Sequence, residues 1–474
     1  MYDSSYHHVP IVYKFTGKER DAETGNDNFD AGYYSSTYSR FLSFEGRTMQ
    51  KLNLILFAYL ILIFCLSLTM SANSNQEAAW ATYKLPVNNV PWEMSIQGLK
   101  GRSWTSASVR ASAFTPDGKA VVFLYWKDHL LSEKPWKTVY TSHLAVWDFK
   151  TGKVDEKLQW DFASSNQDDG WPLDRRYLNY TRDGLRLVLL GSDAIHVFDT
   201  ASFREVQRIA FDPPKEKFPD DGWITVGFSL TPDGSRAAAA ISSSIGANGG
   251  FIRIYDLASG RLVREWRLQD GIRYITGVAL SPDGTRVAVS SLPIGRSSEP
   301  EAFIPAGVDN VRVMDVKTGE TLTGVNTNYV AGPVLFAAND TLLTGSINDD
   351  YKGYGLDTIK VWDARTGKLL REITNPRTGV HYRLDLSADG KRLLGYTGTE
   401  KPVENFVKVD CQQFQIWDFA SGKLIATSPS ILPVENVTVP PEIQLSPNGR
   451  FVLVSWEHDF IPPSAPVVYE IPGH

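Results

Sequence analysis

The residue pattern with the clearest chemical potential is an acidic pair followed by glycine and tryptophan, and it occurs twice. It reads Asp168-Asp169-Gly170-Trp171 and then Asp220-Asp221-Gly222-Trp223. Carboxylates attract cations and hydrogen-bond donors, and an indole ring offers a face on which a cation or a flat ligand can stack. Asp-Gly is also a common turn, however, and tryptophan often packs in a protein core. The pattern therefore has two interpretations, a ligand-binding surface or a structural turn.

A third stretch has the same acidic and aromatic character. Asp349 and Asp350 are followed by Tyr351 and Tyr354. These residues would extend a binding surface, although acidic loops are usually just solvated. No cofactor and no metal site is predicted from any of the three stretches.

Catalytic and metal-binding patterns are missing from the sequence. Five histidines lie far apart without metal-ligand spacing, and no His-Glu-x-x-His, Ser-His-Asp order or phosphate loop is visible. They are His129, His143, His196, His381 and His458. The only cysteines are Cys65 and Cys411, which excludes a metal site built on cysteines and a disulfide framework.

The candidate residues must be positioned by a repeated unit that occupies the chain after residue 110. Its first member is a Ser/Thr-Pro-Asp-Gly turn, in which proline presets φ, aspartate bonds its own backbone and glycine takes a positive φ. The seven copies begin at Thr115, Thr181, Thr231, Ser281, Ala337, Ser387 and Ser446. Each copy predicts a reversal from one strand into the next.

The second member of the unit is a large apolar residue followed by an acid, at the end of an alternating apolar run. Its copies end at Asp148, Asp199, Asp256, Asp315, Asp363, Asp418 and Glu470. Most copies lead into a Thr/Ser-Gly turn, so each unit supplies strands a, b, c and usually an outer strand d. The interval of roughly 50 to 65 residues, a propeller-like period lengthened by insertions, predicts an all-β, seven-bladed β-propeller.

The unit resembles the repeats of bacterial WD40-like and YVTN-type β-propellers over residues 78–474. The Gly-His dipeptide of WD40 repeats is absent, so their histidine network is not carried over. The fifth unit lacks the proline and glycine of the first turn, and the second lacks the glycine of its final turn.

The last repeat ends without an outer strand of its own. The segment Trp80 to Leu85 alternates large and small residues and has no partner in the first repeat. We expect it to pair with residues 467–471 and so close the ring, which would remove two exposed sheet edges.

A hydrophobic segment precedes the propeller. Residues 52–70 carry no charge, follow Lys51, and are followed by small residues from Ser71 to Ser74. If translation starts at Met49, residues 49–74 are interpreted as a secretory signal cleaved near Ala72 or Ser74. The alternative is an uncleaved single transmembrane helix, which a start at Met1 would favour.

The first 48 residues contain a separate motif. The run from Tyr13 to Gly25, followed by Tyr33-Tyr34 and Ser39 to Ser43, resembles the end of the RHS repeat-associated core domain over residues 12–46. The long shell of that family and its Asp-Pro cleavage site are absent. We expect residues 1–48 to be a disordered remnant, with the propeller domain occupying 75–474.

The net charge and the lengths of the loops narrow the range of possible functions. The net charge is −6, and no dense basic run exists, which disfavours nucleic-acid binding. Long stretches between strands b and c would emerge on one face together with the d-to-a connections that carry the acidic segments. These stretches cover residues 125–143, 242–250, 293–310, 348–357, 397–409 and 458–466.

The main hypothesis is a monomeric, non-catalytic binding or scaffold propeller. It would be bacterial, periplasmic or secreted, or membrane-anchored through residues 52–70, and would recognise a protein, peptide or glycan through the loop-rich face. The first alternative is a propeller-type lyase or hydrolase, in which His143, His381 or His458 would meet a carboxylate at the mouth of the central channel. The second is a component linked to an RHS system.

Overall fold

The structure is a computed structural model, and its chain forms two compact units, Met1–Glu77 and Ala78–His474. The described residues are 27–29, 32–34, 80–85, 105–133, 136–162, 177–191, 194–210, 223–243, 250–268, 272–293, 308–327, 330–347, 358–374, 380–403, 406–431, 441–455 and 466–472.

In the first unit the described residues form one short hairpin. Strand β1 (Asp27–Phe29) pairs with β2 (Gly32–Tyr34), and Asn28 lies opposite Tyr33. The hydrophobic segment 52–70 and the rest of the RHS-like fragment lie outside the described residues. Within the described ranges, no helix is long and apolar enough to cross a membrane.

The second unit is an all-β, seven-bladed propeller of four-stranded antiparallel sheets. Strands a to d follow each other from the inside of a blade to its edge, and the a strands of neighbouring blades contact each other. Blade 1 consists of β4 (Thr105–Phe114), β5 (Val121–Glu133), β6 (Trp136–Asp148) and β7 (Lys153–Phe162). Blade 2 consists of β8 (Tyr177–Tyr180), β9 (Arg186–Leu190), β10 (Ala194–Asp199) and β11 (Glu205–Ala210). Blade 3 consists of β12 (Trp223–Leu230), β13 (Arg236–Ser243), β14 (Gly250–Asp256) and β15 (Arg261–Leu268).

Blades 4 to 7 continue this order. Blade 4 consists of β16 (Ile272–Leu280), β17 (Arg286–Pro293), β18 (Val311–Asp315) and β19 (Thr321–Val325), and blade 5 consists of β20 (Val330–Ala338), β21 (Thr341–Ile347), β22 (Thr358–Asp363) and β23 (Leu369–Thr374). Blade 6 consists of β24 (Val380–Leu386), β25 (Arg392–Val403), β26 (Phe406–Asp418) and β27 (Leu424–Thr427). Blade 7 consists of β28 (Glu442–Leu445), β29 (Phe451–Ser455), β30 (Val467–Glu470) and β3 (Ala81–Lys84).

The a–b turns form through local side-chain bonds. In blade 1 the Thr115 hydroxyl donates to the Asp117 carboxylate over 2.7 Å, and this carboxylate accepts the backbone N–H of Lys119 at 3.1 Å. Gly118 then takes a φ of 66°. Blade 5 lacks the proline and glycine, and there strand a continues to Ala338, which pairs directly with Thr341. The fifth turn is therefore shorter than the tetrapeptide pattern predicts.

The c–d turns of blades 1 to 6 depend on the aspartate that ends strand c. Asp148 accepts the backbone N–H groups of Lys150 and Thr151 at 3.0 and 3.1 Å. Blade 2, which has no glycine in this turn, uses Phe203 with a φ of 54°. Among the described residues, Phe203 is the one non-glycine in this left-handed region.

The large residue before each of these aspartates fills the space between blades. Trp147 is fully buried and packs with Phe149 and with Phe451 and Leu453 of blade 7. Trp417 is equally buried and packs with Leu343 and other apolar residues of blade 5. Each blade therefore shares its core with its neighbours.

Strand β3 lies at the outer edge of blade 7. It runs antiparallel to β30, with Ala81 opposite Glu470 and Lys84 opposite Val467. The Tyr83 hydroxyl donates to the Glu470 carboxylate at 2.9 Å. A chain segment from the N-terminal side of the propeller thus completes the sheet that the C-terminal residues begin.

Two stretches that the sequence suggested as loops are strands instead. In blade 1, β5 and β6 pair as far as Glu133 opposite Trp136, and in blade 6, β25 and β26 pair as far as Val403 opposite Phe406. The expectation of a long loop is wrong at both places. Matching alternation on both sides of a short reversal allows the ladder to continue beyond the blade.

Candidate functional site

The alternating strand directions give the propeller two different faces. We call the side with the a–b and c–d turns the turn face, and the side with the b–c connections and the links between blades the loop face. The turn face comprises residues 115–120, 148–153, 181–186, 199–204, 231–236, 256–261, 281–286, 315–320, 337–341, 363–368, 387–392, 418–423, 446–450 and 470–472.

The turn face is closely packed from blade to blade. Arginine side chains at the start of strand b reach carbonyl groups in the next blade: Arg236 donates to Gly284 and Arg392 to Gly449, both at 2.6 Å. A Cβ added to Gly234 would lie 2.1 Å from the Thr181 methyl group. This face has the close packing of a scaffold.

The two Asp-Asp-Gly-Trp segments lie on either side of blade 2 in the chain. The first joins β7 to β8, and the second joins β11 to β12. Trp223 begins β12 and lies opposite Ser243 in the ladder. The other site residues, Asp168, Asp169, Trp171, Asp220 and Asp221, lie outside the described residues.

The third acidic stretch belongs to a different part of the chain. It joins β21 to β22 in blade 5, three blades further along the chain than blade 2. Asp349, Asp350, Tyr351 and Tyr354 also lie outside the described residues. In chain order, the first two segments therefore flank blade 2, and the third lies within blade 5.

His143 is paired with a carboxylate, but away from the channel. Its Nδ1 lies 3.2 Å from Glu156 Oε1, and the Tyr125 hydroxyl donates to Glu156 Oε2 at 2.6 Å. The rings of Tyr125 and His143 stack with centroids 4.9 Å apart. Burial, reinforced by the bond to Glu156, raises the pKa of Tyr125.

This arrangement does not fit the channel-mouth site considered for an enzyme. Glu156 lies on the outermost strand of blade 1, two strands further from the axis than Tyr125. His196 repeats the arrangement in blade 2, where its Nδ1 is 2.7 Å from Glu205 on the outer strand. His381 lies in β24 opposite Thr397 with its side chain outside the description, and His458 lies outside the described residues.

His196 belongs to a series that the sequence analysis missed, whereas His143 does not. The residue three positions before the strand-c aspartate is a base in four consecutive blades, namely His196, Arg253, Arg312 and Lys360. Arg253 donates to Glu265 on the outer strand at 2.6 Å, and the Lys360 ammonium lies 3.9 Å from Glu372. The sequence signal that could have identified this series is a recurring basic residue followed by Val or Ile, then a large residue, then Asp. The pairs hold strand c to strand d.

A buried polar network marks the loop-face end of blades 4 and 5. The Asn310 amide donates to the Thr327 hydroxyl at 2.9 Å, and Asn310 Oδ1 accepts the Thr327 backbone N–H at 3.0 Å. Lys360 donates to the Thr327 carbonyl at 3.0 Å. Burial lowers the pKa of the Lys360 ammonium. The network ties blade 5 to the link that precedes it.

No metal site emerges from the residues that the structure describes, since no group of three or more His, Cys, Asp or Glu side chains is arranged to hold an ion there. The described carboxylates of the turns are used by backbone N–H groups. For Asp148, Asp256 and Asp363 these bonds are the main reason that the pKa lies below its usual value.

Comparison with known proteins gives a structural likeness only. No family model and no curated protein matches the sequence. The β-propeller domain of Cps50 (Swd1) from Myceliophteria thermophila is one similar solved structure, with 12% identity and a TM-score of 0.46. The match covers 78% of this chain and 99% of that domain.

Proposed function

We propose that this protein is a non-catalytic binding module that recognises a protein, a peptide or a glycan through its loop face. The observation that carries this proposal is the difference between the two faces. Blade-to-blade bonds such as Arg236 to Gly284 hold the turn face together. On the loop face, strands b and c of blades 1 and 6 instead continue as paired strands beyond the neighbouring blades, and each of these strands is 12 or 13 residues long in total. Binding residues commonly occupy connections that a rigid scaffold presents.

The acidic and aromatic segments beside blade 2 are the proposed contact residues. Asp168, Asp169, Asp220 and Asp221 would accept hydrogen bonds from hydroxyl or amino groups of the ligand, and Trp171 and Trp223 would stack against it. Asp349, Asp350, Tyr351 and Tyr354 would form a second contact region at blade 5.

We place this module outside the cytoplasm, as a monomer that is either released by signal cleavage or tethered through residues 52–70. Its repeats favour membership of the bacterial WD40-like or YVTN-type propellers. A role beside an RHS system would need an upstream gene that encodes the missing shell. A lyase or hydrolase activity remains the alternative, for which His381 and His458 are the histidines to test.

The test is binding of the full chain to glycan and peptide arrays, with variants of the proposed contacts. The double variant Asp168→Asn, Asp169→Asn should weaken binding at least about tenfold, because hydrogen bonds to charged groups are the strong ones. The matched control Asp155→Asn, Glu320→Gln removes two exposed charges elsewhere. Equal affinity of both double variants and the parent would reject the segment beside blade 2 as the site.

A further inference from the structure

We propose that the outer edge of strand β3 binds an extended segment of a partner polypeptide, which adds a fifth strand to blade 7. This surface lies at the rim of the propeller and is separate from the loop face of the proposed function. The backbone of the partner supplies the contacts, in the mode by which an extended peptide joins the edge of a sheet.

Strand β3 has a neighbour on one side. It is the last strand in the order β28-β29-β30-β3, so its other side is the edge of the sheet. Among the residues that the structure describes, no strand pairs with that side. An edge strand presents a row of backbone N–H and C=O groups with which another chain can pair.

The register of β3 identifies the backbone groups that point outward. The Leu85 N–H donates inward to the Pro466 carbonyl at 3.1 Å, and inward and outward residues alternate along an antiparallel strand. Tyr83 therefore also points its N–H and C=O groups inward, whereas Thr82 and Lys84 direct theirs away from β30. These four outward groups recur at every second residue, which is the spacing that another extended strand can match.

The outer strands of the other six blades are built differently. In each of them, one extra residue on the outer strand interrupts the ladder with strand c. The six extra residues are all exposed, namely Lys157, Val206, Val263, Leu322, Leu370 and Ile425. Bulges of this kind twist an edge strand away from pairing with another chain. The ladder between β3 and β30 is regular from Ala81 to Lys84, so blade 7 is the one blade whose outer strand lacks this obstacle in the described part of the chain.

Two aromatic side chains fix β3 between the neighbouring blades. Trp80 packs edge-on against Phe414 of blade 6, with ring centroids 5.3 Å apart, and Tyr83 lies against Phe149 of blade 1, with centroids 5.4 Å apart. Thr82 is exposed between these two anchors. The edge is therefore held in place before a partner arrives, which lowers the cost of ordering the complex.

A flexible peptide suits this edge better than a second copy of the chain. Strand β3 is four residues long, and the pairing of two such strands is small beside the roughly 1,200 to 2,000 Å² that a stable interface between folded proteins buries. An extended segment needs only the strand itself and can follow it beyond either end.

The experiment selects peptides on the full chain and then removes one outward backbone donor. The probe is a phage-displayed library of random peptides of about 12 residues, and the selected peptides are synthesised. Thr82→Pro deletes the outward N–H at an edge position that tolerates proline, and the matched control Thr82→Ala keeps that N–H. At least one selected peptide should bind the parent and Thr82→Ala equally. It should bind Thr82→Pro at least about tenfold more weakly, because a hydrogen bond is lost and the ring obstructs pairing.

A second variant and a change in the peptide separate strand pairing from an effect on folding. Lys84→Pro, with Lys84→Ala as its control, should weaken binding in the same way, and thermal unfolding by circular dichroism should show that both proline variants are folded. In the peptide, N-methylation of one set of alternate residues should abolish binding, whereas the other set should tolerate it. This alternation follows because only every second N–H of an added strand faces β3.

Several outcomes would overturn the inference. If no selected peptide distinguishes the parent from the two proline variants, the edge of β3 is not a peptide site. Tolerance of N-methylation at both sets of residues would show that strand pairing is not the mode of binding. Dimerisation of the parent that Thr82→Pro abolishes, measured by sedimentation, would assign the edge to a second copy instead. The double variant Asp168→Asn, Asp169→Asn should leave peptide binding at β3 unchanged, so the two proposals fail separately.

Discussion

Asp385 of blade 6 accepts the backbone N–H of Leu445 in blade 7 at 2.7 Å, so a carboxylate joins the inner strands of two neighbouring blades. Its other oxygen accepts the N–H of Leu386 at 2.8 Å. Burial raises the pKa of Asp385 to about 6, although both hydrogen bonds favour the charged form. Ser229 makes the corresponding link from blade 3, where its hydroxyl accepts the Leu280 N–H at 2.9 Å.

Asp385 should make the folded state less stable as the pH rises. Because its folded pKa lies above the unfolded value near 4, the native state binds this proton more tightly, and stability from this group is lost between about pH 4 and 6. The substitution Asp385→Ser introduces the residue type that blade 3 has at the corresponding position, Ser229, and should remove that loss. Urea unfolding at pH 4.5 and 7.5 measures this loss. Between pH 4.5 and 7.5, the free energy of unfolding of the variant should rise by on the order of 2 kcal/mol relative to that of the parent.

The control for this prediction is Ser229→Ala, which removes a link of the same kind without a titrating group. It should lower stability by the same amount at both pH values. If Asp385→Ser behaves in the same way, the carboxylate does not titrate in this range.

Gly234 and Gly390 provide a matched pair for the packing of the turn face. Both take a φ near 70°, but a Cβ on Gly234 would lie 2.1 Å from Thr181, whereas one on Gly390 meets nothing within 4 Å. Gly390→Ala should cost about 1 kcal/mol for the left-handed backbone alone. Gly234→Ala should cost about 1 to 3 kcal/mol more, because overpacking adds to the backbone cost. Chemical denaturation of the two variants gives the difference, and equal losses would refute the close contact.

Strand β3 should stabilise the whole propeller through Trp80. Its ring packs edge-on against Phe414 and Tyr469, and it belongs to the cluster between blades 6 and 7. Trp80→Ala should lower the free energy of unfolding by about 2 to 4 kcal/mol, since large-to-small changes remove buried area and contacts. Thr82→Ala, at an exposed position of the same strand, should change it by less than about 0.5 kcal/mol. Similar small effects of both variants would show that β3 adds little to the stability of the ring.

Asp340 should contribute to stability above about pH 4 and lose that contribution in strong acid. Its carboxylate accepts hydrogen bonds from Arg365 and from Arg286, the latter at 2.6 Å, and these bonds hold its pKa well below the usual value. A depressed folded pKa gives stability that is present above pH 4 and is lost as the pH falls through the folded value. Asp340→Asn should therefore be less stable than the parent at pH 7 and approach it near pH 2.

Thermal unfolding across this pH range, at low and at 1 M salt, checks the prediction. Because Asp340 and Arg365 are partly exposed, salt should reduce the difference at pH 7. A difference between Asp340→Asn and the parent that is independent of pH would contradict the assignment.

Much of the fold was predictable because it depends on residues close together in the chain. Thr115, Asp117 and Gly118 form their turn from side-chain bonds and backbone preferences within six residues. The aspartate of each c–d turn works in the same way. Turns of this kind, separated by alternating strands, were sufficient to predict seven blades.

The candidate site was less accessible to sequence reasoning. The placement of Asp168 and Asp220 on one face stays a prediction, whereas the position of His143 can be compared with the structure. A pairing with Glu156, thirteen residues later, depends on which strands are neighbours and on a register shift between Leu144 and Ala145. Sequence spacing does not reveal such a shift, and so His143 was assigned to the wrong part of the blade.

The sequence by itself thus determined the strands, the local turns and the number of blades, because backbone preferences and side-chain bonds act over a few residues. Only the tertiary structure decided that Arg236 bonds to Gly284 of the next blade, 48 residues away, and that β5 and β6 continue as a hairpin beyond the blade. The physical reason is that these features depend on how sheets pack and how far a ladder extends. Packing and pairing of this kind join residues that are distant in the chain.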